Sequence, residues 1–316
     1  MKLSEALTAV GGSCTLVQDE EFSILELCSR VRREGALTFL EKERFVTSLE
    51  HPNIACVICT PELRDKIPPQ IKGVVLTENP KALFYKIHNL LAAKQERRLS
   101  QIDSTAKISP LAYIAPYNVI IGKNVEIQPF VTVGENTVIE EDVLICSGTI
   151  VGAQSFSPVP DGDKMFLAKD AGGTRIERGV EICGQCDIAC GTLQLDTTVV
   201  GAYTKLDAKV HIGHGSVLGK RNRLPSGAHV AGNCIIGDDI WIGVNATISN
   251  RIVVGDGARV SLGSVVTKDV PAGVTVTGNF AIEHQQFLRN LKKSLIKEDS
   301  SVNGEQTPPR GLSGKI

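Results

Sequence analysis

The chain has 316 residues, enough for one large domain or two to three smaller ones, and its 42% hydrophobic and 22% charged residues are ordinary for a soluble globular protein. A formal charge of −1 excludes nucleic-acid binding through bulk basicity, and no run of 18 apolar residues is present to span a membrane. Nine cysteines, behind an N-terminus whose Glu5 interrupts any leader-like apolar stretch, predict a reducing, cytoplasmic setting.

Residues 1–98 read as a small α/β unit. The segments 55–59 (ACVIC) and 73–76 (GVVL) are short apolar runs of the kind that form buried strands. Asn79-Pro80 then opens a helix, with Asn79 as cap and Pro80 at the first helical position. Leu83, Phe84, Ile87, Leu90 and Leu91 form its apolar stripe. The helix runs into a charged stretch, Lys94 to Arg98, which reads as a solvated boundary.

From residue 102 to 270 the dominant signal is a period of six. Ile102, Ile108 and Ile114 begin it. After a one-residue slip come Ile121, Ile127, Val133, Ile139, Ile145 and Val151, then Ile176, Ile182 and Ile188. From Val200 to Val266 the apolar position recurs twelve times without a miss. Neither a helical nor a simple strand period produces this. One flat face and one corner per six residues closes a three-sided coil of about eighteen, with residue n stacked about 4.8 Å from n+18. The recurring residue points inward and builds a narrow aliphatic core, which accounts for only 14 aromatic residues. Gly follows it at 122, 134, 152, 201, 213, 219, 237, 243 and 255, as expected if glycine forms the corners.

Residues 152–175 break the period with Gly, Pro and charge, so they predict a loop leaving the column, of the length usually kept for function. Residues 280–297 predict an amphipathic helix with Phe287, Leu288, Leu291 and Leu295 on one side and Arg289, Lys292, Lys293 and Lys297 as cations. Residues 298–316 have the composition of a disordered tail.

The hexapeptide period resembles the left-handed parallel β-helix of the hexapeptide-repeat acyltransferases, and the handedness is an implication of that resemblance. The order of segments is similar to the UDP-3-O-acylglucosamine N-acyltransferase family of lipid A synthesis. The N-terminal match is ALTFLEKERF, ACVIC and VVLTENPKALFYKIHNLL. The central match is GTIVGAQSF, RIERGVEICGQCDIACGTLQLDTTVVG and TKLDAKVHIGHGSVLG, and the whole covers roughly residues 1–297. The resemblance implies domains at 1–98 (nucleotide-contacting), 99–279 (acyltransferase column) and 280–297 (C-terminal helix).

It also implies transfer of an acyl group from a thioester donor to the amine of a nucleotide-linked amino sugar. His214 would be the general base, because an amine attacking a thioester must lose a proton and imidazole takes one at neutral pH. One coil above His214 lies Gly232, whose N–H can face the developing oxyanion. Asp207 or Asp196 would steady the imidazole, Asp207 best across a subunit interface, unless either is a corner carboxylate holding backbone N–H groups. Phe39 and Phe45, with Phe156, His211 and Asn233, are the expected substrate-binding set, and the sites lie between columns of a homotrimer. The donor is an acidic acyl carrier protein, received by Arg289, Lys292 and Lys293, or coenzyme A, because residues 262–279 resemble the final coil of acetyl-CoA-using hexapeptide enzymes. An acetyl-CoA-dependent nucleotide-sugar N-acetyltransferase and a silent hexapeptide scaffold are the competing readings.

Four stretches depart from the family. Its Asn–Pro–Lys–Tyr run is Lys42, Glu43, Arg44, Phe45; its Asp–Gly–Phe–Gly is Gln154, Ser155, Phe156, Ser157. Its Asp–Arg–Gly is Ala189, Cys190, Gly191, and its second His is Arg251. His51, His88 and His284 lie outside the repeats and read as surface or helix residues, and His229 lies on the column. Cys56 and Cys59 fall on opposite strand faces, and Cys183, Cys186 and Cys190 lack an evident fourth ligand, so no bound metal or cofactor is expected.

Overall fold

A computed structural model describes residues 1–278 and 281–302, with side chains described as far as residue 293 in the last segment. It divides into two compact units, Met1–Gly278 and the segment after it. Among the described residues no helix is long and apolar enough to cross a membrane.

The first unit opens with helix α1 (Leu3–Val10) and strands β1 (Thr15–Gln18), β2 (Ile24–Leu25), β3 (Ala36–Leu40), β4 (Ile54–Cys59) and β5 (Gly73–Leu76). They form one sheet in the order β1-β5-β4-β3-β2, parallel except for β1. Because β4 is covered on both faces, its run is continuously apolar. Cys56 and Ile58 join the Leu3, Leu83, Phe84 and Ile87 cluster, while Val57 and Cys59 join Leu40, Leu49 and Ile54 on the other face. Helix α2 (Pro80–Ala92) begins at Asn79, whose side chain accepts from Ala82 N at 3.1 Å.

The rest of this unit is a three-sided column of parallel strands stacked into sheets of nine, eight and eight. His211 pairs with His229 above at a step of eighteen residues, but with Asp187 below at a step of 24, because the coil between them is enlarged. The six-step residues from Ile121 to Val266 are buried; Ile102 at the open lower end is half exposed. A second inward ladder sits two positions before each, with small residues such as Ser216, Ala228, Cys234 and Ala246. The period of aliphatic residues alone does not reveal it.

The glycines after the inward positions have a different reason from the one expected. Gly213 has ordinary negative φ, but a Cβ there would stand 2.5 Å from Gly232 N in the next coil. These glycines permit close stacking. The left-handed corner falls two residues later, at Gly215 (φ 66°) and at Asn233, Asn245 and Asp239 in other coils, where Asn and Asp tolerate that conformation.

The stretch expected as a loop is an ordered hairpin, Pro158–Asp161 against Lys164–Leu167. It docks on α2: Asn79 donates to Pro160 O at 3.0 Å, Lys86 pairs with Asp161 at 2.8 Å, and Val159 and Ala168 pack on Ala82. His88, expected as a surface or helix residue, lies in α2 and is 3% exposed with Nε2 at 2.7 Å from Lys169 O, because the hairpin covers that side of the helix.

The second unit contains helix α3 (His284–Val302), which continues past the predicted end at 297. The Glu283 carboxylate accepts from Gln285 N and Gln286 N at 2.8 Å and so caps its first turn. The remainder of the predicted tail, 303–316, lies outside the described residues.

Candidate active site

His214 stands on the turn after the strand His211–Ile212. The inward Ile212 and the close-stacked Gly213 turn its side chain outward, partly exposed. The edge of the ring lies against Gly232 one coil above. A Cβ on Gly232 would meet His214 Nε2 at 2.6 Å, so glycine is required there for room. The Gly232 N–H has no hydrogen-bond acceptor among the described residues, while its carbonyl accepts from Arg251 N at 3.1 Å. His214, Gly232 and Arg251 therefore occupy adjacent levels of one edge.

Burial holds the His214 imidazole below the usual histidine value; Asp196 pulls the other way, and Arg30, His211 and Arg251 deepen the depression. His214 Nδ1 lies 3.4 Å from Thr192 Oγ1.

Asp196, 4% exposed, is held by two arginines of the N-terminal domain, Arg30 at 3.0 Å and Arg32 at 2.9 Å. Arg32 also pairs with the buried Glu26 at 2.8 Å, and Arg30 donates to Asn233 Oδ1 at 2.7 Å. This network fastens the domain to the coil that carries His214. It also engages the Asn233 oxygen. Asp207 accepts from Ala208 N at 2.7 Å and Ser226 N at 3.1 Å. Within one chain it has the corner role and makes no contact with His214.

His211 Nδ1 lies 3.2 Å from Asp187 and its ring stacks on His229 at 4.4 Å. Phe156 is 82% exposed at the start of the excursion. Cys183 is exposed, whereas Cys186 and Cys190 are buried, with Cys186 in the column core and Cys190 Sγ donating to Gly172 O at 3.3 Å.

A cavity of about 390 Å³ opens between the N-terminal domain and the column, lined by Phe39, Phe45, Tyr85 and Arg251 among others. Phe39 packs on Phe84 at 5.1 Å, and the Arg44 guanidinium lies over Phe45 at 4.8 Å. The charged lining is Lys42, Arg44, Lys81 and Arg251 against Glu41. Burial pushes the Tyr85 hydroxyl up to about 12. The sequence reading missed Tyr85, Lys42, Arg44 and Lys81. The aromatic interleaved in the α2 stripe and the basic run that replaces the family's Asn–Pro–Lys–Tyr were the available signals. On α3, Arg289 approaches Glu283 at 3.9 Å, and Lys292 and Lys293 are exposed.

The column and its repeat have the fold of the hexapeptide-repeat transferases, the left-handed parallel β-helix. The hexapeptide family of bacterial transferases (six repeats) matches residues 118–153. The UDP-N-acetylglucosamine acyltransferase from Campylobacter jejuni shares this fold, with a TM-score of 0.50 and 23% identity over 64% of this chain and 80% of that one.

Within that class the chain is related to the UDP-3-O-acylglucosamine N-acyltransferases. It is 27% identical over 248 residues to that of Methylobacillus flagellatus, covering 69% of this chain and 68% of the relative. To that of Helicobacter pylori it is 24% identical over 248 residues, covering 70% and 72%.

Proposed function

We propose that the protein transfers an acyl group from a thioester to the amine of a nucleotide-linked amino sugar, the acceptor class named by its relatives. The observation that carries this reading is the His214 imidazole laid edge-on against Gly232 on the outer edge of the column. His214 Nε2 removes the proton as the amine nitrogen attacks the thioester carbonyl. The Gly232 N–H stabilises the oxyanion that forms. Collapse breaks the C–S bond, and the departing thiolate recovers the proton from the imidazolium. A depressed imidazole pKa suits this role, because the base is then neutral at physiological pH.

The 390 Å³ cavity takes the nucleotide: Phe39, Phe45 and Tyr85 offer aromatic surface to the base, and its four cations face the diphosphate. A donor on an acidic carrier protein is favoured by the cations Arg289, Lys292 and Lys293. The active assembly is a homotrimer, supported by an outward ladder of Val217, Ile235 and Val253 that is 41–57% exposed in one chain. Nine free thiols fit the cytoplasm, where such a donor is available.

The test is transfer from carrier-bound and coenzyme A thioesters to a UDP-linked amino sugar, with the product identified by mass spectrometry. His214→Ala should lower turnover by about a hundredfold or more, since general base catalysis contributes about 10² to 10⁴. Reversing Arg289, Lys292 and Lys293 to Glu should cripple transfer from the carrier and spare transfer from coenzyme A. Efficient acetyl-CoA turnover, indifferent to that reversal, would make the protein an N-acetyltransferase instead.

A further inference from the structure

Behind His214, away from Gly232, runs a chain of hydroxyls that ends on a carboxylate. Thr192 Oγ1 lies 3.4 Å from His214 Nδ1 and 3.1 Å from Ser155 Oγ. Ser155 Oγ donates to Asp170 Oδ1 at 2.5 Å, and Ser155 N donates to Asp170 Oδ2 at 2.7 Å. Ser157 Oγ bridges the middle, 3.3 Å from Ser155 Oγ and 3.2 Å from Thr192 Oγ1. Ser155 is 1% exposed and Thr192 4%, so water does not compete for these bonds.

The direction of this chain follows from its end. Burial raises the Asp170 pKa, but both its oxygens accept from Ser155, which favours the carboxylate; as an ionised acceptor it commits the single proton of Ser155 Oγ to itself. Ser155 is then the acceptor for Thr192 and Ser157, and the continuous chain toward Asp170 is the one in which the Thr192 proton points to Ser155, directly or through Ser157. Thr192 Oγ1 in turn has only lone pairs left for the imidazole. A histidine nitrogen facing such an acceptor carries the hydrogen, and the other nitrogen is left bare. That other nitrogen is Nε2, which faces the space above Gly232.

We infer that Thr192, Ser155 and Asp170 are positioning residues that lock His214 in its Nδ1–H tautomer, with Nε2 bare for the proton it must take. The charged groups that bear on the ring, Asp196, Arg30, His211 and Arg251, set its basicity. None of them hydrogen-bonds to Nδ1, so the tautomer depends on the hydroxyl chain. Two of the three residues belong to the excursion that leaves the column, which gives that excursion a role in the chemistry. The inference rests on His214 being the base.

The measurement is ¹⁵N NMR of histidine-labelled protein, with His214 assigned by its absence in His214→Gln. The neutral ring should carry its proton on Nδ1. Thr192→Val keeps the shape and removes the acceptor; Asp170→Asn lets an amide NH₂ turn toward Ser155 and reverse the chain. Both should shift the proton toward Nε2 and lower kcat about tenfold with KM nearly unchanged. Thr192→Ser should restore both readouts, which a packing role for the methyl group would not. A wild-type ring protonated on Nε2, or a tautomer unmoved in both variants, overturns the inference. Full activity in His214→Ala would instead remove the base reading and leave the tautomer result standing.

Discussion

The coils from Val200 to Val266 and the stretch from Ala153 to Thr198 lie in one column and follow opposite rules. In the upper coils every sixth residue is an aliphatic side chain facing inward, and strands pair with neighbours eighteen residues on until the last coil, where the step is sixteen. In the lower stretch the chain leaves for a hairpin, returns at Gly173, and makes an enlarged coil before it regains the period. The regular part supplies His214 and Gly232 and holds them one level apart. The irregular part supplies Ser155, Asp170, Thr192 and Asp196, the groups that surround the imidazole. Repetition builds a stiff edge whose inward ladders carry aliphatic or small uncharged side chains, whereas exceptions to it bring in charged groups such as Asp170 and Asp196.

Substitution separates these contributions. The largest stability effect should come from the regular coils. Ile242→Ala, at a fully buried position, should cost about 2–5 kcal/mol in chemical denaturation, with a cavity that rigid neighbouring coils cannot close. Gly232→Ala should leave stability less affected and displace the imidazole, lowering kcat about tenfold to a hundredfold. A variant with normal turnover would show that the clash at Nε2 is relieved without moving the base.

The pH profile tests the charges around the ring. With His214 as the proposed base, turnover needs neutral imidazole, and burial has pushed its pKa down, so the acid limb of kcat/KM should lie below the ordinary histidine value of about 6.5. Arg251→Gln removes a cation that opposes protonation, so the limb should move to higher pH; a shift to lower pH would contradict the arrangement. The same depression links to folding. The unfolded chain binds this proton more readily, so the contribution to stability falls as pH drops from the ordinary value through the depressed one. The smallest effect belongs to the excursion's exposed tip. Phe156→Ala should change stability by less than about 0.5 kcal/mol, and a raised KM with unchanged kcat would mark the ring as a substrate contact.

Some of the site could be read in advance because the column is a translation. Once the period is known, 214 plus one coil is 232, and the structure sets Gly232 against His214 with no further information. The two aspartates could not be sorted the same way. Asp207 and Asp196 are both acids near a corner, and the choice depends on Arg30 and Arg32, which arrive from outside the repeats. The corner glycines were misread for a related reason: close approach between coils and a left-handed turn both favour glycine, and sequence alone does not tell them apart.

By itself, then, the amino-acid order determined the column, its inward ladder, the α/β unit with its Asn79 cap, and the edge histidine. Each of these depends on local spacing or on a repeat that carries one contact into the next. Only the tertiary structure decided that the excursion folds as a hairpin against α2, that Tyr85 and Arg251 share a cavity, and that Asp170 reaches toward His214 through two hydroxyls. Those contacts join residues from different segments at no fixed spacing, and the packing of the α/β sheet and its helices on the column brings them together.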